Sequence, residues 1–103
     1  MSIALFLITH EGIASNLLNM GESIIRKPDN NLSLIEVPMD ADLDTMINSI
    51  QSKLNKLNLN RGILFITDIY GGTPGNIAQL LATSYDANLI SGVNLLMIIR
   101  LLN

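Results

Sequence analysis

Gly62-Ile63-Leu64-Phe65-Ile66-Thr67-Asp68-Ile69-Tyr70-Gly71-Gly72-Thr73-Pro74-Gly75-Asn76 changes character twice. Gly62 to Thr67 is an unbroken apolar run. Runs of this kind, rather than alternation, mark strands covered on both faces of a parallel sheet. Asp68 to Tyr70 leaves the strand on a carboxylate, and Gly71-Gly72 reads as a tight turn. Thr73 before Pro74 reads as a helix start, with the threonine hydroxyl as cap and proline at the first helical position. The helix carries Ile77, Leu80 and Leu81. Strand, acidic strand end, glycine turn and helix make up half of a β-α-β unit.

The remaining chain repeats the pattern. Ile3 to Ile8 is a second continuous apolar run, followed by Thr9-His10-Glu11-Gly12. Ile13, Leu17, Met20 and Ile24, flanked by Ala14, Leu18, Gly21 and Ile25, have helical spacing over 13–26. Pro28, Asp29 and Asn30 stop that helix. Leu32 to Val37 reads as a strand. Asp40 and Asp42 are N-cap candidates for a helix bearing Leu43, Met46, Ile47, Ile50, Leu54 and Leu57. Asn88 to Ser91 is a short fourth strand, Gly92-Val93-Asn94 a turn, and Leu95 to Leu102 a last helix or strand. This alternation predicts an α/β three-layer sandwich: a mainly parallel central sheet in strand order 2-1-3-4, with helices on both faces. Residues 1–103 are expected to form a single domain, since no repeat, low-complexity stretch or linker divides them.

Composition narrows the function classes. The 103 residues carry six Lys and Arg against nine Asp and Glu, for a net charge of −3. That balance offers no basic stripe for nucleic acid, and only 4% of residues are aromatic, too few for a stacking platform. Mean hydropathy is high at +0.40, yet no apolar run reaches the roughly 20 residues that span a bilayer. Ile3 to Ile8 is too short for a signal-peptide core and has no basic segment before it, so a cytoplasmic location is expected. No cysteine and one histidine argue against disulfides and a structural zinc site. No metal or cofactor is expected.

In an open parallel sheet, ligands bind at the carboxyl ends of strands, where the strand order reverses. With order 2-1-3-4, strands 1 and 3 flank that point. The only histidine, His10, and the strand-end carboxylate of Asp68 then reach one crevice. The chemistry that suits them is nucleophilic. A neutral imidazole attacks through one nitrogen, and a carboxylate on the other N–H fixes the tautomer and offsets the developing charge. Glu11 is a poorer partner, because adjacent residues point apart. The helix start at Thr73 offers unpaired amides and a positive dipole end for an anion, while Gly71 and Gly72 let the backbone come close. Taken singly, each feature has an ordinary structural reading: a surface histidine, a capping aspartate, a turn before a helix. Asp40, Asp42 and Asp44 read as a solvated helix start rather than a metal site.

These segments, together with Ser91-Gly92-Val93-Asn94-Leu95, resemble the enzyme IIA domain of the mannose family of the bacterial phosphoenolpyruvate:sugar phosphotransferase system. The resemblance spans the whole chain, in the family's order and spacing. It implies that His10 accepts a phosphoryl group from the carrier protein HPr as a tele-phosphohistidine and delivers it to a IIB component. It implies that Asp68 orients His10. It also implies that Gly71, Gly72 and Thr73, with Thr9 and Asn94, lie at the phosphoryl group. A homodimer is implied, with membrane association only indirect, through a IIC/IID permease, and a role in sugar uptake or regulation. Leu96 stands where the family commonly has proline, and the family's further C-terminal helix and strand are expected to be missing, which leaves the apolar segment Leu95 to Leu102 wanting burial.

Two other readings compete. A receiver phosphorylated on Asp68 needs an acidic pair after strand 1 and a lysine after the last strand. Strand 1 is instead followed by Thr9-His10-Glu11, and no lysine follows Lys56. An interaction module with an inert His10 is the other.

Overall fold

The computed structural model describes residues 3–25 and 31–102. The chain runs β1 (Ala4–His10), α1 (Ala14–Ile25), β2 (Leu32–Val37), α2 (Leu43–Leu54), β3 (Ile63–Thr67), α3 (Gly72–Ser84), β4 (Asn88–Ile90) and α4 (Leu95–Leu102). The four strands form one parallel sheet in the order β2-β1-β3-β4. The expected architecture and strand order are thus observed. The Pro28 to Asn30 helix stop lies outside the described residues.

Strand pleating divides the core in two, because successive side chains point to opposite faces. Ala4, Phe6 and Ile8 of β1, with Ile35, Val37, Ile63 and Phe65, pack against Ile50 and Leu54 of α2 and Ile77, Ala78 and Leu81 of α3. Leu5, Leu7 and Ile66 face the other way, against Ala14 of α1 and Ile98 and Leu102 of α4. Both faces of β1 are buried, which is why its sequence does not alternate. Phe6, Phe65 and Tyr85 pack edge to tilted face, with centroids 6.2 and 6.1 Å apart. Phe6 and Phe65, both fully buried, each contribute about 1.5–3 kcal/mol, while Tyr85 is only partly buried.

The last element is a helix, and α4 covers its apolar face within the chain. Ile98 and Leu102 are buried against α1, while Leu96 stays 70% exposed. α1 and α4 approach closely at Gly21, where a Cβ would lie 2.7 Å from Ile98 Cγ2.

Several boundaries differ from those expected. β1 continues through Thr9 and His10, because β2 supplies parallel partners as far as Thr9↔Glu36 and His10↔Val37. His10 is therefore the last residue of a strand rather than a loop residue. α1 and β3 each begin one residue later, at Ala14 and Ile63. β4 ends at Ile90, and the Ser91 hydroxyl beyond it bonds Thr67. α2 ends at Leu54, although Leu57 still packs on the core. Asp42, not Asp40, caps α2 by accepting from the Thr45 N–H.

The Gly21 contact predicts that Gly21→Val lowers the unfolding free energy by about 2–3 kcal/mol, as overpacking of a tight site does. The check is the urea midpoint at unchanged m-value.

Candidate functional site

β1 and β3 are neighbours, with crossovers leaving them in opposite directions, so their carboxyl ends flank the reversal point. His10 closes β1 and Asp68 follows β3. One oxygen of Asp68, Oδ2, accepts from the His10 backbone N–H at 3.0 Å and lies 2.7 Å from His10 Nδ1. Its other oxygen accepts from the Ile69 N–H at 3.0 Å. The Asp68 side chain is 7% exposed and the His10 side chain 36%.

A carboxylate on Nδ1 makes that nitrogen the N–H donor of a neutral ring, leaving the Nε2 lone pair free. Burial is the largest single influence on Asp68 and opposes its charge. The hydrogen bonds from the His10 N–H, the His10 ring and the Ile69 N–H together outweigh it and hold the carboxyl below its ordinary value of 3.8.

Nε2 faces the glycine turn. A Cβ at Gly72 would sit 3.8 Å from Nε2 and 3.5 Å from Cε1, and Gly72 has φ +69°, a conformation suited to glycine. α3 starts at Gly72, with Gly71 as N-cap and no side-chain capping bond. This corrects the expected cap. Thr73 is the second helical residue, not the N-cap, and Pro74 the third, because the two positive-φ glycines begin the helix earlier. Pro74 still falls in the first turn, where its missing N–H costs nothing. Without a side-chain cap, the amides of Gly72 and Thr73 remain as anion donors.

Two other expected contacts are placed differently. Thr9 is fully buried, and its hydroxyl donates to the His10 carbonyl at 2.8 Å and accepts from the Ala14 N–H at 3.1 Å. It braces the backbone around His10 and has no proton left for a phosphoryl oxygen. Asn94 caps α4, with Oδ1 accepting from the Met97 N–H at 2.9 Å and Nδ2 donating to the Gly92 carbonyl. Glu11 is exposed in the turn after β1.

Two residues support the site in ways not assigned from the sequence. Gly75 lets the 68–70 loop lie against α3, since a Cβ there would meet the Ile69 carbonyl at 3.1 Å. Glu36 on β2 accepts from the Ser15 N–H and hydroxyl at 2.9 and 2.8 Å. The Ser15 N–H is the main cause that holds the Glu36 carboxyl below its ordinary value. Slight burial opposes this, and the Ser15 hydroxyl and Gly12 N–H add to it. On β2, Glu36 faces away from the buried Ile35 and Val37.

Around His10 the surface is apolar and acidic. Met39 (94% exposed), Tyr70 (80%) and Ile69 (55%) stand on loops at this edge. Glu11, Glu36, Asp40, Asp42, Asp44 and Asp68 share the edge. The described cations Lys53, Lys56, Arg61 and Arg100 lie at helix C-termini or before β3, at the opposite edge. Among the described residues, no group of three or more His, Asp or Glu is placed to hold a metal ion. No described helix is long and apolar enough to cross a membrane.

A parallel α/β domain with a histidine–carboxylate pair at its reversal point, beside an uncapped helix start, is a defined class of site. Comparison with known proteins places it in a family. The family model described as "PTS system fructose IIA component" matches residues 4–103. The chain belongs to this mannose-type IIA family of the sugar phosphotransferase system, whose members are phosphotransferase components. It is 30% identical over 103 residues to the "PTS system mannose-specific EIIAB component" of Escherichia coli K12. That alignment takes in 99% of this chain and 32% of the relative, so the chain spans about a third of the length of the curated relatives it matches. The mannose/sorbose-specific IIA subunit from Enterococcus faecalis superposes with TM-score 0.81 at 24% identity, covering 97% of this chain and 75% of that one. A phosphotransferase EIIA component from Streptococcus agalactiae gives 0.79 at 23%, covering 98% and 77%. At these identities the two structures speak for the fold.

The lowered Asp68 pKa fixes a sign. A group with a depressed folded-state pKa adds stability above its unfolded value and loses it as pH falls through the folded one. The stability advantage of wild type over Asp68→Asn should therefore shrink between pH 5 and pH 2, read by urea unfolding at both pH values.

Proposed function

We propose that the chain is a phosphocarrier that takes a phosphoryl group onto His10 Nε2 and passes it on. The observation that carries this reading is the 2.7 Å contact of His10 Nδ1 with Asp68, which leaves Nε2 as the free nucleophile beside Gly72. The Nε2 lone pair attacks the phosphorus of a donor phosphohistidine. The new P–N bond forms as the donor's P–N bond breaks, and the donor imidazole leaves with its electron pair. The Nδ1 proton stays on the ring, and the Asp68 carboxylate offsets the positive charge that the ring acquires. The phosphoryl oxygens are received by the first-turn amides of α3 at Gly72 and Thr73, with Gly71 keeping the approach open. The return step delivers the group to an acceptor by the same route. The transfer requires no metal or cofactor.

The family supports HPr as donor and a IIB component as acceptor, and in that setting the chain works in the cytoplasm, in sugar uptake or regulation, as a homodimer. The site's surroundings suit protein partners. An acidic edge repels small phosphoanions but attracts a basic protein face, and exposed Met39, Ile69 and Tyr70 offer it apolar contact. A receiver phosphorylated on Asp68 is the weaker reading, because both Asp68 oxygens already accept hydrogen bonds.

The test is incubation with phosphoenolpyruvate, enzyme I and HPr. Wild type should gain an acid-labile, base-stable phosphate, and His10→Ala should gain none. Asp68→Asn should stay folded and label about 10–100-fold more slowly, the usual cost of losing a carboxylate that orients a histidine. An unlabelled wild type, or equal labelling of His10→Ala, sinks the proposal.

For docking, Tyr70→Ala should raise KM for phospho-HPr about tenfold while leaving kcat within about twofold. Added salt should raise the wild-type KM by screening the acidic edge. Steady-state transfer kinetics at two ionic strengths read both effects.

A further inference from the structure

Three polar side chains among the described residues are buried: Thr9, Thr67 and Asp68. Asp68 holds the imidazole, and Thr9 braces the backbone after His10. Thr67 is fully buried and has no part in the transfer described above. It ends β3, on the face where Ile63 and Phe65 meet α3, in a run that is otherwise apolar. Valine has nearly the same shape and suits a strand as well, without a hydroxyl to desolvate. The reason for threonine lies in the bonds its hydroxyl makes.

Thr67 Oγ1 lies 3.2 Å from the Ile69 carbonyl oxygen and 3.3 Å from Ser91 Oγ. A carbonyl only accepts, whereas two hydroxyls can take either role. The single Thr67 proton therefore serves the Ile69 carbonyl, and the Ser91 hydroxyl donates to Thr67 Oγ1. The Val93 N–H donates to the Thr67 carbonyl at 3.0 Å, which keeps the segment after β4 alongside. From the other side α3 closes on the same Ile69 carbonyl at Gly75, where a Cβ would lie 3.1 Å from it. The Ile69 side chain is largely exposed, so backbone bonds rather than side-chain burial hold this residue in place. The Ile69 N–H donates to Asp68 Oδ1 at 3.0 Å, and Asp68 Oδ2 is the oxygen on His10 Nδ1.

We propose that Thr67 is a positioning residue of the phosphoryl site. Its hydroxyl, backed by Ser91, fixes Ile69. The Ile69 N–H then fixes the rotation of the Asp68 carboxylate that puts Oδ2 on His10 Nδ1. Thr67 acts on His10 only through Ile69 and Asp68. The inference rests on the phosphocarrier reading for its meaning, but its first readout needs no transfer reaction.

The His10 ring is observed by ¹⁵N NMR of the full chain, at a pH where the ring is neutral. In wild type, Nδ1 should show the shift of a protonated ring nitrogen and Nε2 that of an unprotonated one. In Thr67→Val the two shifts should move toward each other, as a looser Asp68 lets the proton populate Nε2. Thr67→Ser, which keeps the hydroxyl, should restore the wild-type pattern. In transfer kinetics with phospho-HPr, Thr67→Val should lower kcat about three- to tenfold, less than loss of the carboxylate itself, with KM within about twofold. Ser91→Ala, at a partly buried position, should move the ring shifts the same way by a smaller amount and serves where Thr67→Val does not fold. A Thr67 of structural value alone would lower the unfolding midpoint and leave the ring shifts where they are. Unchanged ring shifts in folded Thr67→Val, or in Ser91→Ala where it stands in, overturn the proposal, and so does a folded Thr67→Ser that behaves like Thr67→Val. If wild type takes no label from phospho-HPr, the phosphocarrier reading falls, and the ring shifts still decide what Thr67 does.

Discussion

Asp68 Oδ2 takes two hydrogen bonds from a single residue, one from the His10 backbone and one from its ring. The backbone bond ties the ends of β1 and β3 together where their own ladder stops. The ring bond sets the imidazole's tautomer and rotation. A carboxylate in this position must be desolvated, which is costly unless its lone pairs are filled. The Ile69 N–H fills the other oxygen. The geometry of the His10 ring and the solvation of the buried charge are therefore one problem with one solution. The glycine turn, α3 and the bracing of Thr9 are arranged around it.

The architecture was legible because parallel strands buried on both faces leave an unambiguous trace. Ala4 to Ile8 and Ile63 to Thr67 show no alternation, and helical spacing fills the gaps between strands. Alternation of strand and helix implies a parallel sheet covered on both faces, and with the order 2-1-3-4, which the structure shows, the meeting of His10 with Asp68 follows from the switch-point rule. Local ends were harder to read. Thr73-Pro74 has the form of a helix cap, yet Gly71 and Gly72 start the helix earlier through backbone conformations that no side-chain pattern announces. β1 runs to His10 because β2 happens to supply partners that far, a fact of pairing rather than propensity.

The site was legible in its chemistry and less so in its support. His10 is the only histidine of the chain, and the strand-end positions of His10 and Asp68 pair the two. The side chains of Thr9 and Asn94 form hydrogen bonds that serve the backbone: Thr9 braces the turn after His10, and Asn94 caps α4. Glu36 and Gly75 act through contacts with residues far off in sequence, Ser15 and Ile69, and such contacts become visible only once the chain is folded.

On the proposed phosphocarrier reading, one atom must fit two partners in turn. Here that atom hangs from the final residue of a central strand, and only the two side-chain torsions of His10 separate it from the most rigid part of the molecule. Accommodation therefore cannot come from the nucleophile's own tether. It falls to the long, unpacked side chains of Met39 and Tyr70, which can rearrange cheaply against one face and then another. The division is between a fixed electrode and a compliant gasket, and it lets recognition drift between partners without moving the point of exchange.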